Sequence, residues 1–126
     1  MAESLRLGSS MSSPLSTTPT RVFDLLVHQQ AHYPKTDSLA YKVNGVWVKF
    51  STAEVLSIVE HLACGLQLAG IRAGDKIANV TDNNRPEWNF IDLASLTLGA
   101  VHVPIYPNAS PDDYRFILSV TRLIDG

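Results

Sequence analysis

The sequence is short of cysteine and of charge, and both shortages restrict what the protein can be. Cys64 is the single cysteine in 126 residues, so no disulfide can close within the chain, which suits a reducing compartment. Charged residues make up only 17%, and the net charge of −2 indicates neither nucleic acid nor an anionic membrane as a partner. The 45% hydrophobic content is that of a core-forming chain, and the length allows at most one small domain.

The amino terminus lacks an export signal. A secretory signal needs an apolar stretch of about 7–15 residues, and residues 1–19 contain none. Arg6 is the only arginine of this segment and Glu3 is acidic, so a transit peptide is also disfavoured. Because serine and threonine dominate its composition, we expect residues 1–19 to form a disordered leader.

An uncharged run lies near the carboxyl end of the chain. Residues 93–111 carry no formal charge, and this length could suit a membrane-spanning helix. Gly99, Pro104 and Pro107 interrupt the run, and lipid-exposed segments must keep their backbone hydrogen-bonded. We therefore predict no transmembrane segment.

The chain also lacks a glycine-rich phosphate loop. Gly65, Gly70 and Gly74 match neither the GxGxxG spacing nor the Walker pattern. Each has a structural interpretation instead, as a helix-packing, capping or turn residue. No cradle for nucleotide phosphates is predicted among them.

Two histidines mark the first predicted helix, which begins after Thr20, runs from Arg21 to about His32 and is ended by Pro34. His28 and His32 lie four residues apart, a spacing that can bind a metal ion on one helix face. No third ligand accompanies them. The pattern therefore favours ordinary surface histidines, and no metal site is predicted.

Turn chemistry then predicts a β-hairpin. Asn44-Gly45 is the strongest short hairpin signal, and it lies between the β-compatible runs 38–43 and 46–50. The two runs should pair as antiparallel strands. Trp47 is expected in the core, with an interface as the alternative.

A capping box marks the start of the next helix. The Ser51 hydroxyl can accept from the amide of Glu54, whose carboxylate can accept in return from the amide of Ser51. The helix is predicted over residues 52–69, with Gly70 as its C-cap. Apolar residues recur at helical spacing and should face the core: Val55, Ile58, Val59, Leu62, Leu66 and Ala69.

His61 and Cys64 lie on the other side of this helix and form a candidate catalytic pair. Residues three apart on a helix can touch, and a thiol beside an imidazole can act as a nucleophile. No orienting third group or oxyanion site accompanies the pair. A solvated helix face is the favoured interpretation, so no catalytic residue is assigned here.

Residues 74–107 predict a βαβ unit. A strand over 76–80 is followed by turn residues and by a helix over 86–98, and a second strand over 100–103 ends before Pro104. A strand that returns parallel to its predecessor needs a crossover of about a dozen residues or more, usually helical. This helix meets that requirement.

The helix of this unit has clear end signals and an unusual composition. Asn84 is the predicted N-cap, Pro86 suits the first position, Glu87 suits the positive end of the dipole, and Gly99 is the predicted C-cap. After the first turn only Asp92 is charged. Apolar residues occupy nearly every side, which is typical of a helix packed on several neighbours inside a larger protein: Trp88, Phe90, Ile91, Leu93, Ala94, Leu96 and Leu98.

Two further candidates lie in or after the strands of this unit. The loop 81–85 follows the first strand, and ligands of open α/β sheets approach the carboxyl ends of strands. Turn and capping chemistry also explains its residues, so a ligand role is the less favoured interpretation. His102 lies within the second strand, where a hydrogen-bonded core histidine is favoured over a catalytic base.

The last predicted helix starts with Ser110 as its cap, proline at the first position and two acidic residues near the positive end of the dipole. Its residues Tyr114, Ile117 and Leu118 should face the core.

Several of these segments resemble one family. Over about residues 20–119, the chain is similar to the N-terminal part of the AMP-forming acyl-CoA synthetases. Its sequence motifs are most similar to those of the long-chain fatty acid branch. The segments that carry the resemblance are Gly74-Asp75-Lys76-Ile77-Ala78, Asn84-Arg85-Pro86-Glu87-Trp88, Asp92-Leu93-Ala94, Gly99-Ala100, Val103-Pro104-Ile105-Tyr106-Pro107 and Ser110-Pro111.

The resemblance implies an α/β fold: a hairpin plus helices and a βαβ unit, as a partial N-terminal subdomain of an adenylate-forming enzyme. It implies ligation of a fatty acid to coenzyme A with ATP and Mg²⁺, through an acyl-adenylate. The family takes its catalytic groups from a phosphate loop with a lysine and from later acidic and lysine residues, and none of these motifs occurs in residues 1–126. Hence no catalytic, cofactor-binding or metal residue is assigned to this chain, and no cofactor is expected to bind it.

Residues 120–126 depart from the family pattern, which continues with an acidic turn and another strand. We expect an N-terminal fragment that is inactive alone, a non-catalytic truncated product that binds a full-length homologue, or a fragment of another adenylating enzyme. A cytoplasmic location is expected, with a membrane-peripheral one as the alternative. The resemblance also implies a homo-oligomer.

Overall fold

A computed structural model describes residues 18–82 and 85–123 of the chain. Nearly all of the predicted leader lies outside these residues. The elements in chain order are α1 (Asp24–His32), β1 (Leu39–Val43), β2 (Val46–Phe50), α2 (Thr52–Leu68), β3 (Lys76–Val80), α3 (Pro86–Leu98), β4 (Val101–Ile105) and α4 (Pro111–Leu123). The α/β fold class and both predicted strand pairs are confirmed.

The hairpin pairs β1 and β2 in the predicted antiparallel arrangement, with Tyr41 opposite Val48. Asn44 and Gly45 have φ values of 49° and 82°, the left-handed conformation that a two-residue hairpin turn requires. The expectation that Trp47 is buried is wrong, because the register places it opposite Lys42 on the outer face. Trp47 is 59% exposed, and the centroid of its ring lies 5.5 Å from the Lys42 ammonium nitrogen.

The βαβ unit pairs β3 and β4 in parallel, with Ala78 opposite Val103. The second strand extends through Pro104 to Ile105, two residues beyond the predicted end. Proline is tolerated in a strand that has a free edge, and β4 has β3 as its only neighbour among the described residues. The strand therefore did not have to stop at the proline.

The amino ends of these two strands are joined by backbone hydrogen bonds. The Gly74 amide donates to the Gly99 carbonyl at 2.9 Å, and the Val101 amide donates to the Asp75 carbonyl at 2.7 Å. Gly99 has a φ of 73° and caps α3 as predicted. These backbone hydrogen bonds therefore join the loop before β3 to the loop before β4.

The core lies between α2 and α3 and is closed by the hairpin. Phe90 packs edge-on against Phe50, with ring centroids 5.4 Å apart. The buried residues of the cluster are Val55, Val59, Ala63, Phe90 and Ala94. The predicted stripe of α2 is largely confirmed, although Ala69 is exposed and Ala63 is buried instead.

Only part of the apolar surface of α3 is buried within the described residues. Phe90 is 7% exposed, whereas Trp88 is 37% exposed, and Leu96 is half-buried. These three residues therefore do not share one sealed centre. The exposed apolar surface agrees with the expectation that the helix packs on more than this chain supplies.

The helix starts differ in how well they follow the sequence signals. The Ser51–Glu54 capping box is present in both directions. In contrast, α1 begins at Asp24, with Phe23 as its N-cap and no capping hydrogen bond from a side chain. The Asp24 carboxylate accepts from the amides of Thr20 and Arg21, which precede the helix. The predicted cap Asn84 lies outside the described residues, and the N-cap of α3 is Arg85.

The last helix continues beyond the part that resembles the family. Ser110 accepts from the Asp113 amide as a cap should, and the helix runs to Leu123. Tyr114 and Ile117 are half-buried. The expectation that Leu118 faces the core is wrong, since it is 46% exposed.

Candidate functional site

A cleft of about 410 Å³ opens at the carboxyl ends of β3 and β4. Three parts of the βαβ unit supply its walls: the loop after β3, the first turn of α3, and the end of β4 with the residues that follow it. Ligand sites of open α/β sheets are expected at this place. The lining residues are Thr81, Asp82, Arg85, Trp88, Asn89, Pro104, Ile105, Tyr106 and Pro107.

Buried hydrogen bonds beneath the cleft fix His102. Its side chain is 5% exposed. The Nδ1 atom donates to the Asp92 carboxylate on α3 at 2.9 Å, and Nε2 accepts from the Asn79 amide nitrogen on β3 at 3.1 Å. His102 therefore links all three elements of the βαβ unit as a hydrogen-bonded core residue, as the sequence predicted.

The network reaches the cleft through Thr81. Its hydroxyl donates to the Asn79 side-chain oxygen, while the nitrogen of the same amide donates to His102. The donors therefore run in one direction, from Thr81 to Asn79 to His102 to Asp92. The Asp92 carboxylate is the final acceptor of this chain, because it can only accept.

Trp88 forms the aromatic wall of the cleft and rests on this network. Its ring packs edge-on against the His102 imidazole, with centroids 5.0 Å apart. Such a contact favours one ring orientation. The indole is therefore held in place on one side by His102 and is open to the cleft on the other.

The charges at the cleft mouth are partly compensated. Arg85 donates to Glu87 through Nη2 at 2.9 Å and Nε at 3.3 Å. These hydrogen bonds raise the pKa of Arg85 and lower the pKa of Glu87. Because Asp82 adds a second carboxylate, the mouth carries one more negative than positive charge.

The two other histidine and cysteine candidates of the sequence do not assemble into sites. The His28 and His32 rings stack at 4.2 Å, and within residues 18–82 and 85–123 no group of three potential metal ligands occurs. The Nδ1 atom of His61 donates to the Ser57 carbonyl at 2.7 Å. Cys64 is exposed on the same helix, in the solvated face that the sequence favoured.

The sequence raised the loop 81–85 as a less favoured ligand candidate, and two residues of this loop, Thr81 and Asp82, line the cleft. It also predicted a hydrogen-bonded core role for His102 but not the partners of this histidine. Asp92 was visible as the only charge within α3 after its first turn. Asn79 was visible as a polar residue in a strand, where asparagine is disfavoured. Only the parallel register, which pairs Ile77 with His102 and Asn79 with Pro104, brings them together.

Solved structures share this architecture. An N-terminal subdomain of NpsA from Klebsiella oxytoca matches 82% of this chain and 26% of its own, with a TM-score of 0.65 and 22% identity. A fatty acid AMP ligase from Legionella pneumophila matches 81% of this chain and 18% of its own, with a TM-score of 0.72 and 21% identity. The fold is that of the N-terminal subdomain of adenylate-forming enzymes.

The chain belongs to the AMP-binding enzyme family, whose model matches residues 26–123. A long-chain-fatty-acid–CoA ligase, FadD15 of Mycobacterium bovis, is 37% identical over 82 residues, which are 65% of this chain and 14% of the ligase. Human long-chain-fatty-acid–CoA ligase 6 is 34% identical over 78 residues, which are 61% of this chain and 11% of the human ligase. The chain thus spans about a seventh or less of these relatives.

Among the described residues, no helix is both long enough and apolar enough to cross a membrane.

Proposed function

We propose that this chain is the N-terminal part of an ATP-dependent long-chain fatty acid–CoA ligase, which converts a fatty acid, ATP and coenzyme A to acyl-CoA, AMP and pyrophosphate. The observation that carries the proposal is the family match over residues 26–123, together with relatives that bear this activity in their names. The family model reaches residue 123, so of the tail expected at residues 120–126 only residues 124–126 lie outside the match.

The role of the chain in such an enzyme is structural. The segments shared with the family are turn glycines, helix caps and apolar packing residues. Other parts of the enzyme bind ATP, Mg²⁺ and coenzyme A in this proposal, and we expect the chain alone to be inactive.

The exposed apolar surface supports this structural role. Exposed large hydrophobic residues occur on every one of the described helices and strands, and they include Trp47, Trp88 and Phe116. In addition, β3 and β4 pair only with each other within the described residues, and unpaired strand edges are normally covered in a stable protein. We expect the rest of the enzyme to cover them.

An exchange assay tests the inactivity. Purified chain 1–126 is incubated with ATP, Mg²⁺, labelled pyrophosphate and palmitate, with the Mycobacterium bovis ligase as the positive control. No acid-dependent exchange of label into ATP is expected from the chain. Exchange that survives removal of contaminating enzyme would contradict the structural role.

A chimera tests the family role directly. Residues 26–123 replace the matching segment of the Mycobacterium bovis ligase, and palmitoyl-CoA formation is measured. The chimera should retain activity, whereas the same chimera carrying Phe90→Asp should lose it, because a charge then lies in the core. A soluble, folded chimera without activity would count against the proposal.

The same exposed surfaces support a second candidate, a non-catalytic product that binds a full-length homologue. Such a product would use the edges of β3 and β4 and the apolar side chains of α3. Titration of chain 1–126 into a full-length ligase, followed by light scattering, distinguishes the two: the second candidate requires a stoichiometric complex. A fragment of another adenylating enzyme is the third candidate, and sequencing the transcript beyond Gly126 separates it from the first.

We further propose a cytoplasmic, membrane-peripheral location for the enzyme and assembly as a homo-oligomer. The carboxylic acid substrate of a long-chain ligase is apolar enough to partition into bilayers, which supports a peripheral location. Fractionation of cells and light scattering of the full-length protein test the two statements separately.

A further inference from the structure

We propose that the tip of the β1–β2 hairpin, residues 42–49, binds the surface of an anionic lipid bilayer. In this arrangement Val46 and Trp47 enter the bilayer interface. Lys42 and Lys49 contact the lipid phosphates around them. The proposal rests on the membrane-peripheral location given above and adds the surface and the class of lipid.

The hairpin is anchored at its base and uncovered at its turn. At the base, Leu39 and Phe50 pack against the core cluster. At the turn, the paired residues Val43 and Val46 are both exposed, Val46 to 66%. Among the described residues the hairpin tip is therefore the part of this hairpin that is free to meet a partner.

The outer face of the hairpin carries alanine, lysine and tryptophan. Antiparallel pairing places Ala40 opposite Lys49 and Lys42 opposite Trp47, and alternate residues of a strand share a face. All four side chains are exposed. The Lys42 ammonium nitrogen lies 5.5 Å from the centroid of the indole ring. The hairpin tip thus presents two cations and one aromatic ring beside the exposed valines of the turn.

Charge is distributed unevenly along this chain. Residues 38–51 contain two lysines and no acidic residue, whereas the rest of the chain carries a net charge of −4. The whole-chain charge of −2 therefore hides a basic segment, and the exclusion of an anionic membrane from that charge does not apply to the hairpin. Arg85 also lies beside the hairpin, but it pairs with Glu87, so this pair adds no net charge.

The acidic residues nearest along the chain lie at the base of the hairpin. Asp37 precedes β1, and Glu54 lies in the first turn of α2. Because a strand rises about 3.4 Å per residue, the turn lies roughly 15 Å from the base. The Debye length at physiological salt is about 8 Å. These two carboxylates therefore do little to weaken the attraction between the hairpin tip and an anionic surface.

The exposed valines favour a bilayer over other anionic partners. Tryptophan is enriched at membrane interfaces, where the ring meets lipid and the indole N–H meets water. Lysine can lay its stem along apolar surface and keep its ammonium group at the phosphates. A single-stranded nucleic acid could stack on Trp47, but it would leave Val43 and Val46 in water. A bilayer interface uses the ring, the valines and both lysines.

Cosedimentation with vesicles tests the class of lipid. Chain 1–126 is mixed at neutral pH with vesicles of phosphatidylcholine, alone or with about 30% phosphatidylserine. Each lysine near an anionic surface strengthens binding about fivefold, so the anionic vesicles should bind at least about tenfold more tightly. Raising the salt from about 0.1 to 1 M shortens the Debye length from about 10 to 3 Å. This change should remove most of the difference between the two vesicles.

Matched substitutions assign the binding to the hairpin tip. Lys42→Gln should weaken binding to anionic vesicles about fivefold. Lys35→Gln is the control, because Lys35 is exposed but lies before β1, beyond the base of the hairpin. Trp47→Ala should weaken binding to both vesicles about tenfold through loss of inserted apolar surface, whereas Phe116→Ala on α4 should leave it unchanged. Circular dichroism checks that each variant is folded.

The depth of Trp47 gives a readout that needs no change at the hairpin tip. Trp88→Phe leaves Trp47 as the one tryptophan of the chain. Its fluorescence should shift to shorter wavelength when anionic vesicles are added. Since an interfacial ring lies at the level of the headgroups, lipids brominated near the carbonyl end of the acyl chain should quench it more than lipids brominated near the methyl end.

Four results would overturn the proposal: no binding to vesicles, equal binding to anionic and neutral vesicles, equal effects of Lys42→Gln and Lys35→Gln, or tighter binding to a labelled oligothymidylate than to anionic vesicles. None of these results bears on pyrophosphate exchange or on palmitoyl-CoA formation by the chimera. The failure of this inference is therefore distinguishable from failure of the ligase proposal.

Discussion

The His102 imidazole on β4 donates through Nδ1 to the Asp92 carboxylate on α3, at 2.9 Å and with the histidine side chain 5% exposed. A buried donor of this kind costs about 1–3 kcal/mol when its acceptor is removed. The pair therefore joins the crossover helix α3 to the strand that follows it, through the only charged residue of α3 after its first turn.

Removal of the acceptor should destabilise the βαβ unit. We expect Asp92→Ala to lower the free energy of unfolding by about 1–2 kcal/mol, somewhat less than the full cost because alanine favours the helix. Urea denaturation followed by circular dichroism measures the change. Asp112→Ala removes an exposed carboxylate that pairs with Arg115 and should change stability by less than about 0.5 kcal/mol. Equal effects at both positions would contradict the structural role of Asp92.

Two glycines should respond in opposite directions to the same substitution. Gly99 has a φ of 73°, and an added Cβ would lie 3.3 Å from the Ala73 Cβ, so Gly99→Ala should destabilise the protein by about 1–2 kcal/mol. Gly65 lies inside α2 with open space around the position of a Cβ, and Gly65→Ala should stabilise the protein by up to about 1 kcal/mol. Thermal unfolding of both variants checks the signs, and a stabilising Gly99→Ala would refute the assignment of Gly99 as a left-handed cap.

Two phenylalanines provide a second matched comparison. Phe90 is 7% exposed and packs on Phe50, so Phe90→Ala should cost about 3–5 kcal/mol. Phe116 is 68% exposed on α4, and Phe116→Ala should have little effect on the unfolding midpoint of chain 1–126. If the Phe116 variant were as destabilised as the Phe90 variant, α4 would pack differently from the arrangement described above.

The stability of the chain should fall in acid because of three carboxylates in the first turns of helices. Hydrogen bonds from Arg21 lower the pKa of Asp24 to about 2, and bonds from Ser51 and Ser110 lower the pKa of Glu54 and of Asp113. Each of these pKa values is lower in the folded chain than its ordinary value, so each carboxylate stabilises the fold above that ordinary value. The stabilisation is lost as the pH falls through the folded pKa.

Asp24 gives the clearest test of this acid dependence. Its pKa falls from an ordinary 3.8 to about 2, so its contribution should disappear between these two pH values. Urea unfolding of wild type and Asp24→Asn should therefore differ above this window and converge below it. Asp37→Asn serves as a control elsewhere on the surface. A constant difference across the window would show that the Asp24 charge is not what matters.

Local signals predicted the elements of this fold well, because they act over a few residues. The Asn44-Gly45 turn, the Ser51–Glu54 box and the Gly99 cap all depend on the conformation of the residues themselves. Errors arose where tertiary context decides. Pro104 remains in a strand because that strand has a free edge, and Leu118 is exposed because no described element covers its side of α4.

The sequence offered a ligand role for the loop 81–85 only as the less favoured interpretation, and it assigned no site residue. A loop after a parallel strand is a general place for ligands, so residues 81–85 could be named from the sequence. The bonds from Thr81 to Asp92 join side chains from β3, α3 and β4 that are up to 23 residues apart along the chain. Only their placement in three dimensions reveals these bonds.

The bonds that join Gly74 to Gly99 and Asp75 to Val101 make the βαβ unit asymmetric along its strands. Beyond its amino ends the two preceding loops are tied by backbone groups, whereas the cleft opens at its carboxyl ends. Local opening should therefore start at Val80 and Ile105 and spread backwards, so that amide protons exchange with solvent deuterium fastest beside the cleft and slowest at Val101. A surface that receives a partner or a ligand would, in this arrangement, be the part of the molecule that loosens first.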